Sequence, residues 1–244
     1  MDEGELVEKL VLWIRGKVLA GGCKGVVLGM SGGVDSSVAA VLCQRAFPQN
    51  TLGVLMPCYS SQEDEEYTLA VASKFSIPTK TVVLDSVFDS LLTVLPSDTA
   101  DLAASRMAKA NLKARLRMLT LYYFANQLEC MVVGPSNRSE LAVGYFTKYG
   151  DGGVDILPLG NLVKGQIREL ANFLGLPQEI ISKPPSAGLW PGQTDEGDLG
   201  FSYDELDRYL VTGEASDEVK GKIESMMAAG DHKRLLPPLP TFHV

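Results

Sequence analysis

Four short apolar runs bounded by turn residues, GVVLG (25–29), TLGVLMP (51–57), TKTVVLD (79–85) and CMVVG (130–134), alternate along the chain with amphipathic helical patterns. A strand that is apolar on both faces must be covered on both, and neighbouring parallel strands need a long crossover between them. The alternation therefore predicts an α/β fold, a doubly wound parallel sheet flanked by helices with right-handed connections. The 244 residues are read as one domain, 1–244. An apolar stripe at Leu6, Leu10, Trp13, Ile14 and Val18, set among alternating charges, predicts an N-terminal helix rather than a signal or transit peptide. Further helices are expected over about 99–127, 164–174, 203–210 and 217–229. Two Gly- and Pro-rich stretches, 144–160 and 183–200, read as long loops of the kind that bind ligands.

A formal net charge of −8 argues against a surface for long nucleic acids, so any bound nucleotide is expected to be small. No apolar run reaches the roughly 18–20 residues of a membrane span. Cys23, Cys43, Cys58 and Cys130 lie too far apart for a redox or zinc pair, and two histidines cannot complete a metal cluster. They read as small apolar residues in a reducing compartment, which makes a cytoplasmic location the expectation.

The segment GMSGGVDSS (29–37) joins the first strand to a helix. A loop in that position aims backbone N–H groups and the positive end of a helix dipole at one point, where an anion can bind. Gly29, Gly32 and Gly33 let backbone approach phosphate oxygens, Met30 and Val34 belong to the same run, and Ser31, Ser36 and Ser37 add hydroxyls. A Gly-rich turn with Ser and Asp caps at an ordinary strand-to-helix junction has the same composition. Asp35 favours the ligand reading, because a carboxylate among phosphate-binding groups repels its ligand unless a divalent cation lies between them. The lysine of a P-loop is missing. A loop that holds the β,γ-pyrophosphate as a unit would leave the α-phosphorus open to attack.

SGGVDSS resembles the pyrophosphatase loop of the ATP pyrophosphatases, whose fold is adenine nucleotide alpha hydrolase-like and Rossmann-like. That group includes GMP, asparagine, argininosuccinate and NAD synthetases and tRNA thiolation enzymes, all of which adenylate an oxygen and then displace AMP. The loop alone does not choose among them. Four further segments do: KANLKARLRM (109–118), VVGPSNRSELAVGYFTKYGDGGVDILPLGNLVKGQIREL (132–170), KPPSAGLWPGQTDEGDLGFSYDELDRYL (183–210) and HKR (232–234). Together, in order and through most of the chain, they resemble the ammonia-dependent NAD synthetase family.

The resemblance implies amidation of deamido-NAD with ammonia, at the expense of ATP, through an adenylated intermediate, as the final step of NAD biosynthesis. It assigns residues 29–36 to the ATP phosphates, Asp35 and Glu140 to Mg2+, and Lys164 and Ser186 to ATP. Deamido-NAD would be held by Arg115, Lys148, Asp155, His232 and Lys233. Asp35, Glu140 and Lys164 would stabilise charge rather than shuttle protons, and loops 144–158 and 184–200 would close over the adenylate. Members resemble one another in forming homodimers. Helix 111–127 is the candidate contact, with plain intrachain core as the other reading. A glutamine-using version needs an additional amidase domain, for which 244 residues leave no room, so free ammonia or a separate amidase partner is implied. One departure stands out: Pro135 replaces the family's usual threonine, which removes a hydroxyl and an N–H and predicts weaker ATP binding. Two rival readings are a tRNA thiolation enzyme, which would want paired cysteines and a basic face, and a non-catalytic ATP-binding module.

Overall fold

The computed structural model describes residues 2–96, 101–190 and 192–240. α1 (Glu3–Ala20) is followed by β1 (Gly25–Gly29), α2 (Val34–Ala46), β2 (Thr51–Leu55), α3 (Gln62–Lys74), β3 (Thr79–Thr81), α4 (Asp85–Val94), α5 (Leu102–Leu128) and β4 (Cys130–Val133). The second half is helical: α6 (Arg138–Val143), α7 (Lys164–Leu174), α8 (Gln178–Ser182), α9 (Asp195–Leu199), α10 (Tyr203–Thr212), α11 (Asp217–Ala229) and α12 (Asp231–Arg234).

The four strands pair in parallel in the order β3-β2-β1-β4. This is the doubly wound sheet that the alternating runs predict. Successive residues of β1 point to opposite cores. Val26 and Leu28 pack with α1, α2 and α7, whereas Val27 joins Leu52, Val54, Phe88 and Leu116 beneath α4 and α5. Each fully buried Val or Leu contributes about 1.5–3 kcal/mol, and helices on both faces let both sides of β1 and β2 count. β1 matches its apolar run, and β2, β3 and β4 are shorter than theirs. β2 stops before Pro57, which has no N–H to offer the ladder.

Three expectations shift. The buried face of α1 is Val7, Val11, Ile14 and Val18; Leu6 and Leu10 flank it, and Trp13 is 40% exposed with the Lys17 ammonium over its ring. The stripe is thus rotated by about one residue, because α1 rests between α2 and α7 rather than on the sheet. The long helix starts at Leu102, where the Asp101 carboxylate accepts hydrogen bonds from the Ala103 and Ala104 N–H groups. The expected start near 99 lies outside the described residues. The stretch 183–200 is not all loop, since α9 forms within it under a Thr194 cap and packs Leu199 into a third core with Phe201, Tyr203, Leu206 and Ile223.

The sheet order reverses at β1, with β2 on one side and β4 on the other. Ligands of open α/β sheets bind at such a switch point, outside the carboxyl ends of the strands.

Candidate active site

β1 ends at Gly29 and α2 begins at Val34, so residues 30–33 turn tightly above the switch point. Gly32 has φ +76, and a Cβ there would stand 2.5 Å from the Asp64 carbonyl oxygen, which no side chain tolerates. The serine hydroxyls are used differently from the simple expectation of free donors. Ser36 and Ser37 donate to the Gly33 carbonyl at 3.0 and 2.8 Å, and Ser31 donates to Ser36 Oγ at 3.1 Å. They brace the turn and leave the first N–H groups of α2 to face an anion.

Three elements bring their side chains to that turn. Asp35 lies in the first turn of α2, Glu140 in the first turn of α6, and Lys164 is the first residue of α7. The Lys164 ammonium, 3% exposed, lies 2.5 Å from Asp35 Oδ2 and 3.4 Å from Glu140 Oε1. Asn137 is fully buried and donates through Nδ2 to Asp35 Oδ1 and to Glu140 Oε1, 2.8 Å each. Its own carbonyl oxygen caps α6 by accepting from the Glu140 N–H. The start of α7 is pinned by Asp207 of α10, which accepts from the Gly165 N–H and from the Ser139 hydroxyl; Ser139 Oγ accepts in turn from the Lys164 N–H. A lysine at a helix start, unfavourable by the dipole, is thereby paired with two carboxylates.

Burial and the neighbouring Asp35 push the Glu140 carboxyl up to about 8, against the opposing pull of Lys164. Burial works against the Lys164 ammonium, but Asp35 and Glu140 outweigh it and hold its pKa above the ordinary range. Among the described residues no three His, Cys, Asp or Glu side chains converge as a ready-made metal cage. Two convergent carboxylates beside a phosphate loop instead suit Mg2+, which takes most of its ligands from phosphates and water.

These groups line a cavity of about 1380 Å³. Gly29, Met30, Ser31, Gly33, Val34, Asp35 and Ser36 all border it, as do Lys164, Ser186 and the divergent Pro135; Gly32 serves the turn from behind. Ser186 is exposed, and its hydroxyl donates to the Gln193 carbonyl. Of the five positions assigned to deamido-NAD, Arg115, Lys148 and His232 form one chain of contacts that ends beside Lys233, and Asp155 bonds elsewhere. Lys233 borders the cavity and donates to the Gly144 and Phe146 carbonyls, 2.7 and 2.9 Å away. Arg115 donates to the Lys148 carbonyl at 3.3 Å, and the Lys148 ammonium donates to the His232 carbonyl, a chain of contacts outside the cavity lining. Asp155 accepts from the Tyr122 hydroxyl and the Val132 N–H beside β4, also outside the lining.

Matched against known families, residues 6–237 fit the NAD synthase family model. The chain belongs to the NAD synthase family. It is 48% identical over 236 residues to the NH(3)-dependent NAD(+) synthetase of Carboxydothermus hydrogenoformans, covering 97% of each chain. Among solved structures, the NMN synthetase of Francisella tularensis superposes with a TM-score of 0.94 at 36% identity, over 99% of this chain and 100% of that one. The NH3-dependent NAD synthetase of Campylobacter jejuni, solved with a nitrate ion, gives 0.82 at 29% identity, over 98% and 100%. The segment-by-segment resemblance and the α/β architecture thus agree with what this family is.

Several residues in or beside the cavity escape the reading of the sequence. Asn137 had a signal, the N-x-x-E spacing of a capping box in NRSE. Arg117, which donates to the Met56 carbonyl and Ser60 Oγ, and Lys183, which pairs with Asp64, had none. Their partners lie 57 to 119 residues away. Lys113, buried on α5, donates to the Leu189 carbonyl and sits over the Tyr59 and Phe88 rings, tying the 183–193 segment to the second core.

Proposed function

We propose that this cavity amidates deamido-NAD in two steps, with ATP and ammonia as co-substrates. The chain is a ligase of the NH3-dependent NAD synthetase type, a family that uses ATP; the residue roles that follow are our reading. The observation that carries it is the Asp35–Asn137–Glu140–Lys164 constellation set against the glycine–serine turn at the switch point. The turn binds the β,γ-pyrophosphate of ATP on the N–H groups of α2 and leaves the α-phosphorus exposed. Asp35 and Glu140 would hold Mg2+, which would supply charge neutralisation for the departing pyrophosphate. An ionised nicotinate carboxylate attacks the α-phosphorus without any general base, since it is already deprotonated at neutral pH. Ammonia then attacks the acyl carbon and AMP departs. Lys164 stabilises phosphate charge once nucleotide competes with the carboxylates for its ammonium. Ser186 contacts ATP from the 183–193 segment, and closure of residues 144–158 and 184–200 keeps water from the adenylate. Arg115, Lys148, Asp155, His232 and Lys233 hold the dinucleotide, and a second copy of the chain completes a homodimer.

The test is pyrophosphate–ATP exchange that depends on deamido-NAD in the absence of ammonia. Exchange is expected, with AMP as the nucleotide product of the full reaction; ADP as product would reject the reading. A second reading concerns only the acid. The likeness to the Francisella NMN synthetase favours the shorter nicotinate mononucleotide, with the same two steps. Competition between the two acids for a limiting amount of enzyme, read as the ratio of kcat/KM, decides between them.

A further inference from the structure

Asp195, the first residue of α9, is 5% exposed and borders the same cavity. Its Oδ2 accepts the Tyr203 hydroxyl hydrogen at 3.0 Å, but its buried Oδ1 has no hydrogen-bond partner among the described residues. Burying a carboxylate oxygen without a donor is costly, and native chains keep such an atom chiefly where something else completes it. The Tyr145 hydroxyl stands beside it and gives its hydrogen to Asp198 Oδ2 at 2.9 Å, while its oxygen accepts from Gln193 Nε2 at 3.5 Å. With their hydrogens so placed, both phenol oxygens keep lone-pair capacity towards Asp195.

What fits here is a small cation that donates hydrogen bonds in several directions. One anionic oxygen and two neutral phenol oxygens are a poor set for Mg2+, which demands a near-octahedral shell of oxygens, and a good one for a tetrahedral donor. The surroundings favour positive charge: Asp35, Glu140 and Asp195 are balanced within the protein by Lys164. Lys164 itself lies 4.9 Å above the Tyr203 ring, so that ring already carries one ammonium group. The second substrate of the proposed reaction is almost wholly protonated in neutral water and must lose a proton before it can attack.

We propose that Asp195 Oδ1, with the hydroxyl oxygens of Tyr145 and Tyr203, is the docking site of the ammonium ion and receives its proton. In that step one N–H bond of NH4+ breaks and the proton passes to Oδ1. The freed lone pair forms the C–N bond, and the acyl–oxygen bond to AMP breaks with its electron pair on the phosphate. The second proton, from the nitrogen now bonded to carbon, leaves on that phosphate. The site deepens the amidation reading and rests on it.

The experiment compares three measurements in wild type and Asp195→Asn: KM for ammonium chloride, deamido-NAD-dependent pyrophosphate–ATP exchange without ammonium, and the rate with hydroxylamine, a nucleophile that is largely neutral near pH 7. The variant should raise the ammonium KM about 10- to 100-fold, the loss of one charge-assisted hydrogen bond. It should affect exchange far less, and hydroxylamine should recover most of the amidation rate. Exchange falling as far as amidation, an unchanged ammonium KM, or a shifted Mg2+ requirement would each overturn the assignment. Should Asp195→Asn fail to fold, Tyr145→Phe keeps the carboxylate and removes one acceptor: a raised ammonium KM with intact exchange supports the site, and an unchanged KM rejects it. Absence of exchange in the wild type would instead refute the amidation reading itself.

Discussion

At the scale of single residues, the site is a balance of buried charge. Removing Lys164 as Lys164→Met leaves Asp35 and Glu140 facing each other with only Asn137 between them. Loss of one partner from such a buried cluster costs about 3 kcal/mol. Denaturant unfolding should show that loss at neutral pH, and added Mg2+ should restore more stability to the variant than to the wild type. Equal Mg2+ responses would contradict a cation site on these two acids. The Glu140 carboxyl, raised to about 8 by burial and Asp35, sets a second expectation. Below that value a cation must displace the proton; above it the carboxylate is free. Mn2+ binding to nucleotide-free protein, followed by its paramagnetic resonance, should therefore strengthen as pH rises towards about 8 and level off beyond. A flat profile would show that Glu140 is not a ligand. Pro135 borders the cavity beside the buried Ser136. Pro135→Thr restores a hydroxyl and an N–H, and calorimetric titration should show tighter ATP binding by about 1 kcal/mol, the worth of one hydrogen bond.

At the scale of elements, function depends on helix starts meeting at one point. The N-terminal turns of α2, α6 and α7 carry Asp35, Glu140 and Lys164, and Asp207 of α10 locks α6 to α7 through Ser139 and Gly165. The turn before α2 is just as constrained, because the N-terminal part of α3 presses its Asp64 carbonyl against Gly32. Gly32→Ala combines a left-handed backbone with a 2.5 Å clash. Strain of this kind costs about 1–3 kcal/mol, and the loop must move to relieve it. Nucleotide affinity should drop more than global stability, which parallel ATP titration and thermal melts would separate. A melt that falls while affinity holds would mean that the turn does not bind nucleotide.

At the scale of the whole molecule, α5 divides its surface. Leu116, Leu121 and Ala125 are buried against the sheet, whereas Leu119 and Tyr123, one turn apart, are each 60% exposed. The two readings of helix 111–127, intrachain core and contact with a second copy, are compatible because they use different faces. Sedimentation velocity should show a dimer that Leu119→Asp with Tyr123→Glu dissociates; a wild-type monomer at micromolar concentration would remove this contact. No helix among the described residues is long and apolar enough to cross a membrane.

Much of this protein is written locally. β-branched runs, their crossover spacing and a Gly-Ser turn are short-range patterns, and short-range sterics decide strands, helices and the turn between them. Asp35 could be picked out in the same way, whereas Glu140 and Lys164 are named through the resemblance of their segments to the NAD synthetase family. The chain could not announce which distant groups would become neighbours. That Asn137 would bridge two carboxylates 105 residues apart (140 − 35), that Asp207 would pin Lys164, or that Asp195 would be buried with an unpartnered oxygen depends on packing of the second half against the switch point. Burial and hydrogen-bond partners arise from long-range contacts, and those contacts decide the charge, reach and availability of every side chain in the cavity.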